Sequence, residues 1–187
     1  MVKVGFICEG ETEKIFIDSL NFKYILTANN LQLVNAIDAS GNGNLQPKNI
    51  KPFIASLKDD GAEKFFILTD LDEDVCITKT KERIYAPEDV VVIIAVKQIE
   101  AWFLADSITL SNIFQKEFLF NYPENENNPF EKLKEIFVTH TNRGIGTSKP
   151  RFAKRMINEG FNILNAAMHT KCDSSKYLIN KLILIAP

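Results

Sequence analysis

Four apolar runs recur along the first half of the chain, and polar segments with helical spacing separate them. They cover residues 2–8, 31–37, 64–69 and 90–96. Runs of this length that are rich in β-branched and aromatic residues predict strands. The last run is apolar on both faces, as strands are in a parallel sheet that helices cover on both sides. Strands that alternate with helices predict an α/β domain with right-handed crossovers.

The segment after the first run carries the signals of a helix start. Thr12 can cap the helix, and Glu13 lies in its first turn, where the helix dipole favours a negative charge. Phe16, Leu20 and Tyr24 have the spacing of a single helix face, so one helix is predicted to reach about residue 27. Further helices are predicted over residues 47–57, 98–106, 130–138 and 176–185.

The strand pattern ends near residue 106. We therefore predict that residues 1–106 form an α/β core with a mostly parallel four-stranded sheet, and that residues 107–187 form a helical C-terminal extension packed on it. The 187 residues, of which 45% are apolar, suit one compact domain with a substantial core.

Charge, cysteine content and the length of the apolar runs indicate which partners and which cellular compartment to expect. The formal net charge of −2 gives no global positive field, so nucleic acid would have to meet a local basic patch. Cys8, Cys76 and Cys172 are odd in number and far apart, which predicts reduced thiols. The longest wholly apolar run is much shorter than a membrane span, and the first residues lack a signal-peptide layout. A cytoplasmic protein without a membrane partner is expected.

Carboxylates follow two of the predicted strands. Glu9 follows the first, and the third run ends in a stretch that contains Asp70, Asp72 and Asp74. Side chains at i and i+2 of an extended chain point to the same side, so Asp70 and Asp72 are predicted to face together. Ligand sites of such sheets lie at the carboxyl ends of the strands. Clustered carboxylates repel unless they are protonated, exposed or metal-bound, and a solvated acidic turn is the alternative.

Three familiar motifs do not fit these acids. A calcium-binding EF-hand loop that began at Asp70 would need glycine and glutamate where Val75 and Lys81 stand. A phosphatase of the haloacid dehalogenase type would have threonine in place of Asp74. No glycine-rich loop that ends in Lys-Ser or Lys-Thr is present, so a Walker-type nucleotide site is unsupported.

Two segments resemble the Toprim domain of type IA and II topoisomerases, primases and certain nucleases. They are residues 8–16, Cys-Glu-Gly-Glu-Thr-Glu-Lys-Ile-Phe, and residues 66–72, Phe-Ile-Leu-Thr-Asp-Leu-Asp. Residues 96–106 and the tail from Ser148 are similar to a family of small, stand-alone bacterial Toprim-like proteins of unassigned function. The resemblance implies a Toprim-like, Rossmann-like fold for the core.

The resemblance also implies roles for single residues. Glu9 would be the general acid or base near the scissile phosphate and a possible metal ligand, while Asp70 and Asp72 would hold Mg²⁺ or Mn²⁺. Similarity to the Toprim half of overcoming-lysogenisation-defect nucleases implies further carboxylates that build a two-metal site. The candidates are Glu13, which replaces a more frequent aspartate, Asp74 and Glu100.

The expected function is that of a small metal-dependent nuclease in DNA maintenance or phage defence. Nucleic acid is the expected partner, DNA ahead of RNA, and an ATPase or another defence-system protein is a further candidate. The alternative is a non-catalytic Toprim-like module that binds a metal, a nucleotide or a protein partner.

Residues 143–155 contain five basic residues and no acid. They could grip phosphates, or they could form a solvated surface that balances the acids. They are Arg143, Lys149, Arg151, Lys154 and Arg155.

Glu100 and Trp102 begin the helix predicted after the fourth run. Glu100 could be a metal ligand, an acid that positions a basic residue, or a surface helix start. Trp102 shares a helix face with Ile99 and Phe103, which predicts a core position rather than a platform for a stacked base.

Overall fold

The computed structural model describes residues 1–186, and the four apolar runs form one parallel sheet. The strands are β1 (Val2–Cys8), β2 (Leu31–Asp38), β3 (Lys64–Asp70) and β4 (Val90–Ala95). They lie in the order β2-β1-β3-β4, and every neighbouring pair is parallel. The predicted α/β class is confirmed, as a Rossmann-like sheet flanked by helices.

Helices connect the strands and make up most of the chain after the sheet. Those within the sheet region are α1 (Glu11–Asp18), α2 (Leu20–Ala28), α3 (Pro47–Asp59), α4 (Ile77–Ile84) and α5 (Glu100–Ala105). Those that follow are α6 (Ser107–Phe114), α7 (Pro129–Thr141), α8 (Lys149–Asn158), α9 (Ile163–Met168) and α10 (Asp173–Ile185). Short 3-10 turns cover Asn42–Leu45 and Pro123–Asn125.

The sheet separates two apolar clusters because successive strand residues point to opposite faces. Phe6 and Phe66 lie on one face, with their rings stacked 4.7 Å apart, in a cluster that also contains residues of α1, α2 and α5 to α10. Ile7 and Ile67 lie on the other face, in a cluster with residues of α3 and α4. The helices after residue 106 therefore share the larger cluster with the strands.

The single helix predicted from residue 12 to about residue 27 is wrong. Ser19 is extended, with φ −64° and ψ 147°, and it ends α1 and caps α2 by accepting a hydrogen bond from the Phe22 N–H. This break rotates the second helix about its axis. Leu20 and Tyr24 are consequently 84% and 76% exposed, while Phe16 and Phe22 face the core.

The structure describes all three cysteines and the length of every helix up to residue 186. Cys8, Cys76 and Cys172 are all free thiols; Cys76 is exposed and the other two are buried. No helix within residues 1–186 is long and apolar enough to cross a bilayer.

Candidate functional site

The carboxyl ends of β1, β3 and β4 meet at one edge of the sheet. Glu9 follows β1, Asp70 is the last residue of β3, and Glu100 begins α5 shortly after β4. The main chains of β1 and β3 stay joined here because the Glu9 N–H donates to the Leu68 carbonyl at 2.9 Å. Sequence-predicted carboxylates from three segments therefore lie around one edge.

The carboxylate of Glu9 is held by β3. Its Oε2 accepts two hydrogen bonds, one from the Thr69 hydroxyl and one from the Asp70 N–H at 3.2 Å. Oε1 has no hydrogen-bond partner among residues 1–186, so it can meet a ligand. The role of Thr69 was not predicted from the sequence, although its place directly before Asp70 in a strand was a signal.

Asp70 is buried, with 7% of its surface exposed. Its Oδ1 accepts the Ile99 N–H at 2.8 Å, so the carboxylate also fixes the start of α5. Burial raises the pKa of Asp70 well above its usual value of 3.8, and the negative charges of Glu13 and Glu100 raise it further. Asp70 is thus driven toward its neutral form unless a cation approaches.

Glu13 belongs to the same electrostatic cluster. Its Oε2 accepts the Gly10 N–H at 3.0 Å, which holds the side chain over the first turn of α1. Burial raises its pKa from 4.5 to about 7; hydrogen bonds from backbone N–H groups oppose the rise, and the charges of Glu100 and Glu9 add to it.

Glu100 lies inside the protein, and the alternative of a surface helix start is wrong. Its side chain is 1% exposed, and its Oε2 lies 3.3 Å from the Nζ of Lys149 at the start of α8. Its Oε1 is buried and has no hydrogen-bond partner within the described chain. Burial raises the pKa of Glu100, and Lys149 offsets part of the rise.

Asp72 does not continue the alternation of β3. The strand ends at Asp70, and Asp72 is left-handed with φ 46°, so the same-side geometry expected for an extended chain does not apply to it. Its N–H donates to the carbonyl of Lys97, itself left-handed at φ 64°, at 2.9 Å. Left-handed non-glycine residues cost about 1–3 kcal/mol each and concentrate at functional sites.

The exposed Asp72 carboxylate nevertheless turns toward the same loop as Asp70. Its Oδ1 accepts a long hydrogen bond from Gln98 Nε2 at 3.4 Å. The Oε1 of Gln98 is buried without a partner in the described part of the chain. Gln98 was not predicted as a site residue, and its position two residues before Glu100 was the only sequence signal.

Asp74 is not brought into the cluster. Its Oδ2 accepts from Arg83 Nε at 3.1 Å and Nη2 at 3.0 Å. These hydrogen bonds lower the pKa of Asp74. Its carboxylate therefore links the loop after β3 to α4, and a role as a metal ligand would require this pair to open.

The five predicted basic residues differ in their contacts. Lys149 pairs with Glu100, Lys154 lies 3.3 Å from Glu11, and the Arg155 guanidinium lies 4.9 Å from the ring centre of Phe137. The remaining two members, Arg143 and Arg151, are exposed. The structure thus gives one of the five basic residues, Lys149, a place among the site carboxylates.

Trp102 is a core residue, as predicted. It is fully buried, and its Nε1 donates to Ser174 Oγ at 2.7 Å. Ile99 and Phe103 are buried beside it. This side of α5 therefore holds Glu100 in place by packing and leaves no aromatic face for a nucleic-acid base.

The donor atoms at the carboxyl edge of the sheet determine which metal ions could bind there. No three His, Cys, Asp or Glu side chains within residues 1–186 already form a group that could hold a metal ion. The donors at the edge are nonetheless all oxygens, as Mg²⁺ and Mn²⁺ prefer, and Mg²⁺ needs only one or two carboxylates because it keeps several waters. A bound cation would give the unpartnered Oε1 atoms of Gln98 and Glu100 a partner. It would also favour the ionised form of Asp70 and so lower its raised pKa.

Comparisons of the chain with protein-family models, with curated proteins and with solved structures found no match.

Proposed function

We propose that the protein is a small Toprim-like nuclease that catalyses Mg²⁺- or Mn²⁺-dependent phosphodiester cleavage. One observation carries the proposal: Glu9, Glu13, Asp70 and Glu100 gather at the carboxyl edge of the sheet, where burial raises the pKa of the last three and nearby carboxylates add to the rise. Strained acid clusters of this kind are typical of sites that handle protons or cations.

In this proposal the side chains divide the work. Asp70, Asp72 and Glu100 would hold the cation, with Glu9 and Glu13 beside them. A bound divalent cation would supply charge neutralisation and would lower the pKa of a water. Glu9 would accept a proton through Oε1, because Thr69 and the Asp70 N–H hold its other oxygen. Lys149 would meet a phosphate oxygen with its ammonium group.

The proposal also covers the substrate, the cellular setting and a partner protein. DNA is the preferred substrate ahead of RNA, the setting is DNA maintenance or phage defence in the cytoplasm, and an ATPase or another defence-system protein is a candidate partner. Asp74 is kept only as an outer ligand, since Arg83 holds its carboxylate.

The test is a cleavage assay with single-stranded and double-stranded DNA and with RNA, with Mg²⁺, Mn²⁺ or EDTA. Glu9→Gln and Asp70→Asn should each lower the cleavage rate about 100-fold or more. Glu11→Gln is the matched control, because it removes a charge from an exposed side chain at the same edge without touching the buried cluster. Cleavage that survives both site substitutions would refute the assignment.

The Lys149–Glu100 pair favours a second candidate, a non-catalytic module that binds a metal, a nucleotide or a protein. Lys149 already lies 3.3 Å from the buried Glu100 carboxylate, so this charge has a partner without a bound cation. Calorimetry with Mn²⁺ and with a nucleotide panel separates the two candidates. Saturable binding without cleavage of any substrate would favour the module.

A further inference from the structure

Lys149 lies at the end of α8 where a helix disfavours a positive charge. It is the first residue of that helix, and the first turn contains no acid that could offset its charge. Ser148 caps the helix by accepting the Arg151 N–H at 3.3 Å, so the Lys149 side chain takes no part in the cap. Its one carboxylate partner, Glu100, belongs to a different helix. The position of the ammonium group therefore depends on the carboxylates at the edge of the sheet.

The contact between Lys149 and Glu100 is long for a charged pair with a buried member. The Nζ and Oε2 atoms lie 3.3 Å apart, whereas charge-assisted N–H···O hydrogen bonds are about 2.7–2.9 Å. This is the only hydrogen bond of the ammonium group within residues 1–186, although an ammonium group carries three donors. The Oε1 atom of Glu100 stays buried without a partner in the same part of the chain. Lys149 thus satisfies only one of the two oxygens of Glu100.

The charge of Lys149 also acts on a second carboxylate of the site. Burial raises the pKa of Asp70 and the pKa of Glu100, and the ammonium group opposes the rise in both. These are two of the three side chains that hold the cation in the proposed function. Lys149 therefore supplies a single positive charge at the place where that function requires a divalent one.

Lys149 can move away from this place, and Glu100 cannot. The Lys149 side chain is 36% exposed, while that of Glu100 is 1% exposed. A lysine ammonium group is carried on a flexible four-carbon stem and is strongly hydrated, so it can turn to water without moving the main chain. A second cation near Glu100 would therefore meet a mobile lysine and a fixed carboxylate.

We propose that Lys149 takes the place of the cation in the metal-free protein and leaves Glu100 when a divalent cation binds at Asp70 and Glu100. The inference rests on the proposed function, because it takes the carboxyl edge of the sheet as a cation site. Like charges repel, so the ammonium group and the cation compete for Glu100. The released ammonium group is then free to contact a phosphate of the substrate. Lys149 is thus a positioning residue whose partner changes with metal binding.

Calorimetry with Mn²⁺ alone, at pH 8 and without nucleic acid, tests the competition. Lys149→Met should bind Mn²⁺ about tenfold more tightly than the unmodified protein, because the cation no longer displaces an ammonium group. Lys154→Met is the matched control, since it removes the same charge from the same helix, where Lys154 pairs with the exposed Glu11. Its Mn²⁺ affinity should stay within about twofold of that of the unmodified protein. Circular dichroism checks that each variant is folded.

Pulse acetylation of the unmodified protein gives a second measurement that does not depend on the folding of a variant. An amino group that leaves a carboxylate becomes more accessible to acetic anhydride and reacts faster. Peptide mass spectrometry should show that saturating Mn²⁺ raises the acetylation rate of Lys149 about threefold or more over the rate in EDTA. The acetylation rate of Lys154 should not change.

The outcomes separate this inference from the proposed function. If Lys149→Met binds Mn²⁺ no more tightly than the unmodified protein, the inference is wrong and the cation site remains. An acetylation rate of Lys149 that stays constant while Mn²⁺ binds would overturn the inference in the same way. Absence of Mn²⁺ binding by the unmodified protein and by both variants would contradict the proposed function, and the inference with it.

Discussion

Replacing Glu13 with glutamine preserves the shape of the side chain and removes its negative charge. The glutamine oxygen can still accept the Gly10 N–H that Glu13 Oε2 accepts at 3.0 Å, so the first turn of α1 keeps its hydrogen bond. The substitution therefore isolates the electrostatic cost of a carboxylate within the cluster. We expect Glu13→Gln to stabilise the metal-free protein, by an amount that depends on pH.

The magnitude follows from the pKa of Glu13, which rises from 4.5 to about 7 on folding. Each pH unit between the two pKa values is worth about 1.4 kcal/mol, so ionisation costs the folded state up to about 3 kcal/mol. Below pH 4.5 the Glu13 carboxyl group is neutral in the folded and the unfolded state, so the stability that the neutral group gives is fully present. This stability is lost as pH rises from 4.5 toward 7, because the unfolded state ionises Glu13 more readily than the folded state does. Glu13→Gln should therefore equal the unmodified protein near pH 4 and exceed it by up to about 3 kcal/mol at pH 8.

The assay is urea unfolding in EDTA, followed by far-ultraviolet circular dichroism at several pH values. Glu11→Gln is the matched control, because Glu11 lies two residues earlier in the same turn with 57% of its side chain exposed. Its replacement should change the free energy of unfolding by about 0.5 kcal/mol or less at every pH. If Glu13→Gln and the unmodified protein show the same pH dependence, the assignment of a buried, repelled carboxylate is wrong.

Three further substitutions test other parts of the structure by urea unfolding. Lys149→Met leaves Glu100 buried without its cation, so its pKa should rise further and stability should fall by about 2 kcal/mol at pH 8 and less at pH 5. Asp106→Ala leaves four hydrogen-bond donors of a fully buried site unpaired and should cost about 3 kcal/mol or more. Gly5→Ala places a methyl group 2.9 Å from Leu57 and should cost about 1–3 kcal/mol, while an unchanged midpoint would show that the contact relaxes freely.

The four strands could be predicted because each one corresponds to a short continuous run of apolar residues. Apolar runs bounded by polar segments mark strands, and all four strand ends differ from the predicted ones by at most one residue. The break at Ser19 was missed because Leu20 and Tyr24 complete an apolar helix face, and periodicity alone does not show that an extended residue interrupts it.

The position of the carboxylates at this edge could be predicted better than the groups that contact them. The carboxyl ends of parallel strands meet at one edge, so Glu9 and Asp70 could be placed together from topology. The pairing of Lys149 with Glu100 joins residues 49 positions apart, and no sequence period reports such a contact. The same is true of Asp74 and Arg83, whose link depends on how the loop after β3 meets α4.

Ser174 gives the molecule a built-in optical reporter. Its hydroxyl accepts the indole N–H of Trp102, the single tryptophan, and also the N–H of Val96 at the end of β4. Any event that lifts the start of α10 from β4 would break both hydrogen bonds and let water reach the indole. The intrinsic emission of the unlabelled protein should then shift to longer wavelength, so separation of α10 from β4 could be followed without a dye.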